Sequence, residues 1–180
     1  VLLLIFLTFN VRLLAQGNVE FSKSNFKDDV AGYKIAVKQL QEADYKSNAN
    51  LYKEALETYL TVDQFNPNNA ELNGKIGECY THESNNNKAL EHLEKAYKLD
   101  NNLDGFYIYL LASVYHHSNN FNDAIKYYRL SKSKGSKMPG AYMAGVDKSI
   151  KEATYGKKLV KTPINVEIDN LSEAVNTANE

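Results

Sequence analysis

The chain has 180 residues, enough for one domain with a hydrophobic core or for a short repeat array with flanking segments. Its 21 Lys and Arg residues nearly balance 22 Asp and Glu residues, and a formal net charge of −1 argues against a nucleic-acid partner held by bulk electrostatics. The single cysteine, Cys79, excludes an internal disulfide and, with no basic group evident around it, is expected to be a buried, unreactive thiol.

An apolar run opens the sequence. Residues 1–9, VLLLIFLTF, are interrupted only by Thr8 and have about half the length that a membrane-spanning helix needs. Arg12 then breaks the run, and LLAQG ends in small residues of the kind that signal peptidase accepts. We expect residues 1–17 to be part of a signal peptide, cleaved between Ala15 and Asn18, rather than a buried core helix. The protein would then be exported.

The next residues change from irregular to helical. Residues 18–30 are polar, and we expect a flexible extension there. Residues 31–46 place Tyr33, Val37 and Leu40 on one helical face. SNAN, residues 47–50, then turns the chain into a second helix that Pro67 follows. These two segments predict a first helix pair.

Residues 70–100 have small and bulky side chains at the spacing of a helix-turn-helix unit. Gly77 and Ala89 are small where two antiparallel helices would approach most closely, while Ile76 and Leu93 would fill the space around that contact. SNNN, residues 84–87, supplies the turn between the two helices. This segment sets the register for the helices on either side.

The same pattern recurs along the chain. Ala55 lies 34 residues before Ala89, and Ala124 lies 35 residues after it. Together with the bulky residues around them, these positions resemble a tetratricopeptide repeat, whose pattern W-x₂-L-G-x₂-Y…A-x₃-F recurs about every 34 residues. The resemblance spans residues 35–133 and implies an all-α solenoid of about three helix pairs.

The sequence after the third pair predicts a cap and then a new domain. Residues 141–155 carry apolar side chains at helical spacing, and a helix there would cover the apolar face of the last repeat. We therefore predict a repeat domain over residues 31–155, ended by Gly156. Residues 165–169, NVEID, alternate as a strand does, so residues 156–180 are expected to be a linker and the first strand of a truncated β-propeller.

The junction GKKLVKTPINVEIDNLSEAVNTANE after such repeats resembles large OmpA-family envelope proteins of the Bacteroidota. In that family, a signal peptide and tetratricopeptide repeats precede a WD40-like propeller and an OmpA-type peptidoglycan-binding domain, and members are similar to the periplasmic component of type IX secretion. The resemblance implies a periplasmic, outer-membrane-associated scaffold that reaches peptidoglycan only through later domains. The alternative is a regulatory repeat domain of a secreted enzyme whose catalytic part lies beyond Glu180.

The sequence indicates no enzyme. It has no Gly-rich phosphate loop, nucleophile elbow, zinc-protease motif or paired cysteines, and we predict no catalytic, cofactor or metal site. His82, His116 and His117 could approach one another near Glu78, but their spacing is not a known ligand pattern, and solvent-facing groove histidines are expected instead.

Partner binding is the function that the repeat resemblance implies. Residues that flank the packing positions of the first helices are predicted to line a concave groove: Leu40, Asp44, Glu71, Glu78, Thr81, His82, Phe106, Tyr109, Ser113, His116 and His117. Leu, acidic, Tyr and Ser residues stand where some repeat proteins hold a peptide carboxylate with Lys and Asn, which disfavours that mode. A groove that is acidic at one end and aromatic at the other suits an amphipathic helix or an extended segment of a protein, with Phe106 and Tyr109 as anchors.

Overall fold

The computed structural model describes residues 17–134 and 140–162, and every regular element within them is an α-helix. The predicted all-α fold is therefore confirmed. The helices are α1 Val30–Asn48, α2 Tyr52–Phe65, α3 Ala70–His82, α4 Asn86–Leu99, α5 Gly105–His117, α6 Phe121–Lys134 and α7 Gly140–Lys161. Within the described residues, none of these helices is long and apolar enough to cross a bilayer.

Consecutive helices pack as pairs, and the pairs stack. The helices α1 and α2, α3 and α4, and α5 and α6 form the three pairs, while α3 also packs on α2 and α5. The last helix, α7, packs on both α6 and α5, in the place that the first helix of a further pair would occupy. This is the architecture of a helical-repeat solenoid, in which each unit buries its apolar side against its neighbours.

The turn inside each pair uses one left-handed residue. Asn50, Ser84 and Asn119 have φ values of 60°, 57° and 58°, and they are spaced by the same 34 and 35 residues as the buried alanines. Asparagine and serine adopt this conformation more readily than bulky residues because their short side chains can hydrogen-bond locally. The turns and the helix contacts therefore keep one register along the chain.

The close helix contact predicted in the central pair is present. A Cβ atom added at Gly77 would lie 2.5 Å from Leu93 Cγ, so only glycine lets α3 and α4 approach this closely. Ala55, Ala89 and Ala124 are fully buried at the corresponding place in each second helix. The thiol of Cys79 is also fully buried, and burial raises its pKa to about 12, as expected of an unreactive core cysteine.

Asn73, which stands where the repeat pattern opens with an aromatic residue, builds a polar contact inside the central pair. Its Nδ2 donates hydrogen bonds of 2.9 Å to the carbonyl oxygens of Pro67 and Asn69, and its Oδ1 lies 3.0 Å from Nδ1 of buried His92. Burial lowers the pKa of His92, which favours the neutral ring at this position. These partners satisfy the hydrogen bonds of the buried amide. Asn73 therefore connects the residues before α3 to His92 of α4 without an aromatic side chain.

The structure corrects two expectations about the ends of the repeat domain. The segment before α1, predicted to be a flexible extension, is attached to the repeats: Val19 N donates to Asn68 O at 2.7 Å, and Phe26 packs on Phe65 with ring centroids 4.9 Å apart. Gly156 does not end a helix, since α7 continues to Lys161. A Cβ atom at Gly156 would lie 2.6 Å from the Phe121 ring, so this glycine serves helix packing.

The predicted signal peptide lies outside the described residues except for Gly17, and the predicted strand at residues 165–169 lies wholly outside them.

Candidate interaction groove

Three pockets follow one another along the first helices of the repeats. The acidic pocket, of about 540 Å³, lies between the segment before α1, the start of α3 and the start of α5. The central pocket, of about 380 Å³, lies between the end of α1, the middle of α3 and Tyr107 of α5. The histidine pocket, of about 510 Å³, lies between the second half of α5 and α7. Residues of α5 line all three pockets, and we call the three pockets together the groove.

An ion-pair network occupies one side of the central pocket. Lys75 Nζ donates to both carboxylate oxygens of Asp44, at 2.9 and 3.0 Å, and pairs with Glu71 at 3.1 Å. The Tyr59 hydroxyl donates to Asp44 Oδ1 at 2.6 Å, and burial together with this hydrogen bond raises the pKa of Tyr59. Burial alone would lower the pKa of Lys75, but its two carboxylate partners raise it overall. This lysine is therefore charged and fully engaged.

Glu78 lies on the same stripe of α3, one turn beyond Lys75, and its surroundings differ. Burial raises the pKa of the Glu78 carboxyl to about 7, and the charge of Lys75 only partly opposes that rise. The rings of Tyr52 and Tyr107 line the pocket beside it. Neutral pH thus lies within the titration range of this carboxyl group.

Carboxylates dominate the acidic pocket. Glu20, Glu71, Asp100 and Asp104 line it, together with the ring of Phe106, and no Lys or Arg is among its lining residues in the described part of the chain. Asp104 also caps α5, since its Oδ1 accepts a hydrogen bond of 2.9 Å from Phe106 N.

The histidine pocket joins α5 to α7. His117 Nδ1 lies 2.7 Å from Ser113 O, and His116 Nδ1 lies 3.5 Å from the hydroxyl of Tyr128. Burial lowers the pKa of His116, and the neighbouring His117 lowers it further, while Glu152 of α7 raises it. Polar groups and aromatic rings line this pocket, together with one carboxylate, that of Glu152.

An aromatic cluster separates the histidine pocket from the acidic pocket. The ring of Tyr142 on α7 makes edge contacts with Phe106 and Tyr109, with centroid distances of 5.0 and 5.2 Å. The two residues predicted as aromatic anchors are therefore half-buried against α7, and part of each ring already has a partner within the chain.

Comparison with known proteins places two segments of the chain. The family described as tetratricopeptide repeat matches residues 70–103 and 107–133, which correspond to the second and third helix pairs. These two segments are tetratricopeptide repeats. No curated protein matches the chain.

Several solved tetratricopeptide-like structures share this fold. PcrH, in a complex with the chaperone binding region of PopD, is 14% identical to this chain with a TM-score of 0.59, and the match covers 69% of this chain and 95% of that one. A structure of PcrH from Pseudomonas aeruginosa also matches. The Sgt2 TPR domain from Aspergillus fumigatus is 15% identical with a TM-score of 0.58, covering 78% and 93%. The Yersinia enterocolitica type III secretion translocator chaperone SycD is 11% identical with a TM-score of 0.60, covering 77% and 90%. At these identities the likeness shows the fold.

Eight of the eleven predicted groove residues line one of the pockets. Glu71 and Phe106 line the acidic pocket, Asp44 and Glu78 the central pocket, and four line the histidine pocket, namely Tyr109, Ser113, His116 and His117. That these residues contact a partner stays a prediction.

The other three predicted residues have local contacts instead. Leu40 packs against the core of the first pairs, and the Thr81 hydroxyl donates to Gly77 O at 2.9 Å. The His82 ring stacks on Tyr52 with centroids 3.6 Å apart. No three His, Cys, Asp or Glu side chains within the described residues are arranged to hold a metal ion.

Lys75 and Tyr107 are the main groove residues that the sequence analysis missed. Lys75 lies one turn after Glu71 and one turn before Glu78, so the helical stripe through these two predicted residues contains it. Tyr107 lies next to Phe106 and lines both the acidic and the central pocket. Its ring fills the space beside Gly74, where an added Cβ atom would lie 2.8 Å away, and this glycine was the available signal.

Proposed function

We propose that the chain is a non-catalytic interaction module that holds a segment of a partner protein in the groove. The observation that carries this proposal is that residues of α5 line all three pockets and that two of the pockets share Tyr107. A surface of this kind can bind an elongated segment through several separate side-chain pockets. Among proteins of similar fold, PcrH holds the chaperone binding region of PopD, and SycD holds a peptide of the translocator YopD.

Site-specific photo-crosslinking tests the proposal. A photoreactive phenylalanine analogue is placed either at His117, an exposed groove position, or at Lys126, an exposed position on the second helix α6. We expect a partner protein to be crosslinked from His117 and not from Lys126. Identical products from both positions, or products from Lys126 alone, would show that the partner does not occupy the groove.

The proposal extends to a cellular location. We propose that this module works in the bacterial periplasm near the outer membrane, as the N-terminal part of an OmpA-family protein similar to the type IX secretion component. The support is the apolar run of residues 1–9 followed by small residues, a pattern typical of secretory signals. N-terminal sequencing of the native protein should give a start between Ala15 and Asn18. A start at Val1, or upstream of it, would contradict export by a cleaved signal.

A further inference from the structure

We propose that the central pocket receives a lysine or arginine side chain of the bound segment, with Glu78 as its counter-ion and the rings of Tyr52 and Tyr107 as its walls. This inference rests on the proposed function, because it specifies which chemistry the groove selects. The cation is the ammonium or guanidinium group of a protein side chain.

The first observation is that the Glu78 carboxylate lacks a partner. Within residues 17–134 and 140–162, no group hydrogen-bonds to it, and the nearest cation, Lys75, forms its ion pairs with Asp44 and Glu71 instead. Placing a carboxylate in a partly desolvated pocket costs free energy unless it is paired. A cation entering the pocket would supply the missing partner, so the pocket favours that ligand over a neutral one.

The second observation is the pair of aromatic walls. Tyr52 is held by its stack with His82, at a centroid distance of 3.6 Å, and by a hydrogen bond of 3.0 Å from its hydroxyl to Asn50 Oδ1. Tyr107 is held against the glycine surface of α3 at Gly74. Rings that are fixed before binding can stabilise a cation through their π faces at little entropic cost.

The third observation is the charge of the groove as a whole. Four carboxylates line the acidic pocket, two the central pocket and one the histidine pocket, against one lysine, so the lining residues have a formal charge of −6. The entire chain has a formal charge of only −1. Acidic charge is therefore concentrated at the acidic and central pockets, and it complements a basic segment there.

An anionic group fits the central pocket poorly. Lys75 is the one cation among the lining residues in the described part of the chain, and Asp44 and Glu71 already neutralise it. A peptide carboxylate would therefore meet Glu78 and Asp44 without a free positive partner, which is unfavourable.

Binding of a charged ligand should depend on pH through the titration of Glu78. The charged and titratable groups that face it are Asp44 from α1, Tyr52 from α2, Lys75 and Cys79 from α3, and Tyr107 from α5. Burial raises the pKa of both tyrosines and of the cysteine, so they stay neutral near pH 7, and Glu78 is the group that changes charge there. Binding of a cation should therefore strengthen as the pH rises through about 7.

The test compares two labelled peptides by fluorescence anisotropy. Each has about twelve residues with leucines at helical spacing, and the remaining positions are lysine in one peptide and glutamate in the other. The protein variants are Glu78→Gln and, as a matched control with the same loss of charge, Glu91→Gln, which alters an exposed carboxylate of α4 paired with Lys88. We expect the lysine peptide to bind, and its affinity to fall about ten-fold or more with Glu78→Gln but less than about two-fold with Glu91→Gln.

A second measurement needs no variant. Carbon-detected NMR of the Glu78 carboxyl group should show its pKa falling from about 7 by roughly one unit when the lysine peptide saturates the protein.

Any of four results would overturn the inference. The two variants could lose affinity equally, the lysine and glutamate peptides could bind equally, the lysine peptide could fail to bind, or the lysine peptide could leave the pKa of Glu78 unchanged. If crosslinking from His117 persists in any of these cases, the groove still binds a partner and only its selectivity for a cation is wrong.

Discussion

Replacing Gly77 by alanine should destabilise the fold, although alanine is the better helix former. The added methyl carbon would lie 2.5 Å from Leu93 Cγ and 2.8 Å from Leu93 Cδ2, and Leu93 is fully buried, so it has no open space to move into. Overpacking of this kind costs about 1–3 kcal/mol. The preference for alanine over glycine in a helix offsets up to about 1 kcal/mol of that cost. We therefore expect a net loss of up to about 2 kcal/mol in the free energy of unfolding.

Gly145→Ala is the matched control, because Gly145 also lies inside a helix. A Cβ atom there meets no heavy atom within 4 Å, so only the helix preference acts, and the variant should be more stable than the wild type by up to about 1 kcal/mol. Urea denaturation followed by circular dichroism gives both values from the shift of the midpoint. The reasoning is refuted if both alanines stabilise the protein to a similar extent.

A double-mutant cycle adds a second check of the same contact. Leu93→Ala alone should cost about 2–5 kcal/mol because it leaves a cavity. When Leu93 is alanine, the methyl group of Gly77→Ala has room. The double variant should therefore lose less unfolding free energy than the two single variants together, by roughly 1 kcal/mol or more. Strict additivity would mean that the two side chains do not meet.

Three other predictions follow from single residues. The Glu78 carboxyl group has a pKa of about 7 in the folded protein against an ordinary value of 4.5, so the free energy of unfolding should fall as the pH rises from about 4.5 to 7. Urea denaturation should therefore show that Glu78→Gln stabilises the protein by about 1–3 kcal/mol at pH near 8 and by little at pH near 4. Asn73→Ala removes the hydrogen-bond partner of buried His92 and should cost about 1–3 kcal/mol in thermal unfolding, where no change would show the buried amide to be dispensable. Ser84→Gly should raise the free energy of unfolding, measured by urea denaturation, by up to about 1 kcal/mol because φ is 57°, whereas Ser118→Gly, at φ −87°, should not.

The repeated helix pairs could be predicted because their packing leaves a direct mark on the sequence. A helix contact as close as that between Gly77 and Leu93 tolerates only the smallest residue, and the alanines recur wherever the same contact recurs. Spacing therefore reports three-dimensional register in a repeat protein more directly than in most folds.

The ends of the domain were predicted less well because local rules compete there with tertiary contacts. Gly156 has the character of a helix stop, yet its lack of a side chain serves a contact with Phe121, and α7 runs through it. The segment before α1 is polar on average, but Phe26 finds a partner in Phe65, which is distant in sequence. Average polarity does not show such a pairing.

In the groove too, some features follow from repeat positions and others depend on tertiary contacts. Its predicted residues come from repeat positions, and most of them line the pockets because the helices repeat regularly. The contact of Tyr142 with Phe106 and Tyr109 depends on where α7 packs after an irregular linker, and no repeat position encodes that. Glu78 is unpaired because Lys75 forms its ion pairs with Asp44 and Glu71. The distances between side chains in the folded chain determine which ion pairs form.

Stacking of the helix pairs has a consequence for the order in which the protein opens. Within the described residues, the outer side of α1 has no helix on it, and Ile35 and Tyr45 are 60% and 75% exposed there, whereas α7 covers the opposite end. Each pair is stabilised chiefly by its immediate neighbours, so loss of the first pair removes one interface and leaves the others in place. Amide hydrogen exchange should accordingly be fastest in α1 and slowest in α3 to α5. The histidine pocket then keeps its shape in molecules whose first repeat has already opened, while the central pocket, which needs Asp44 and Tyr59, is lost with it.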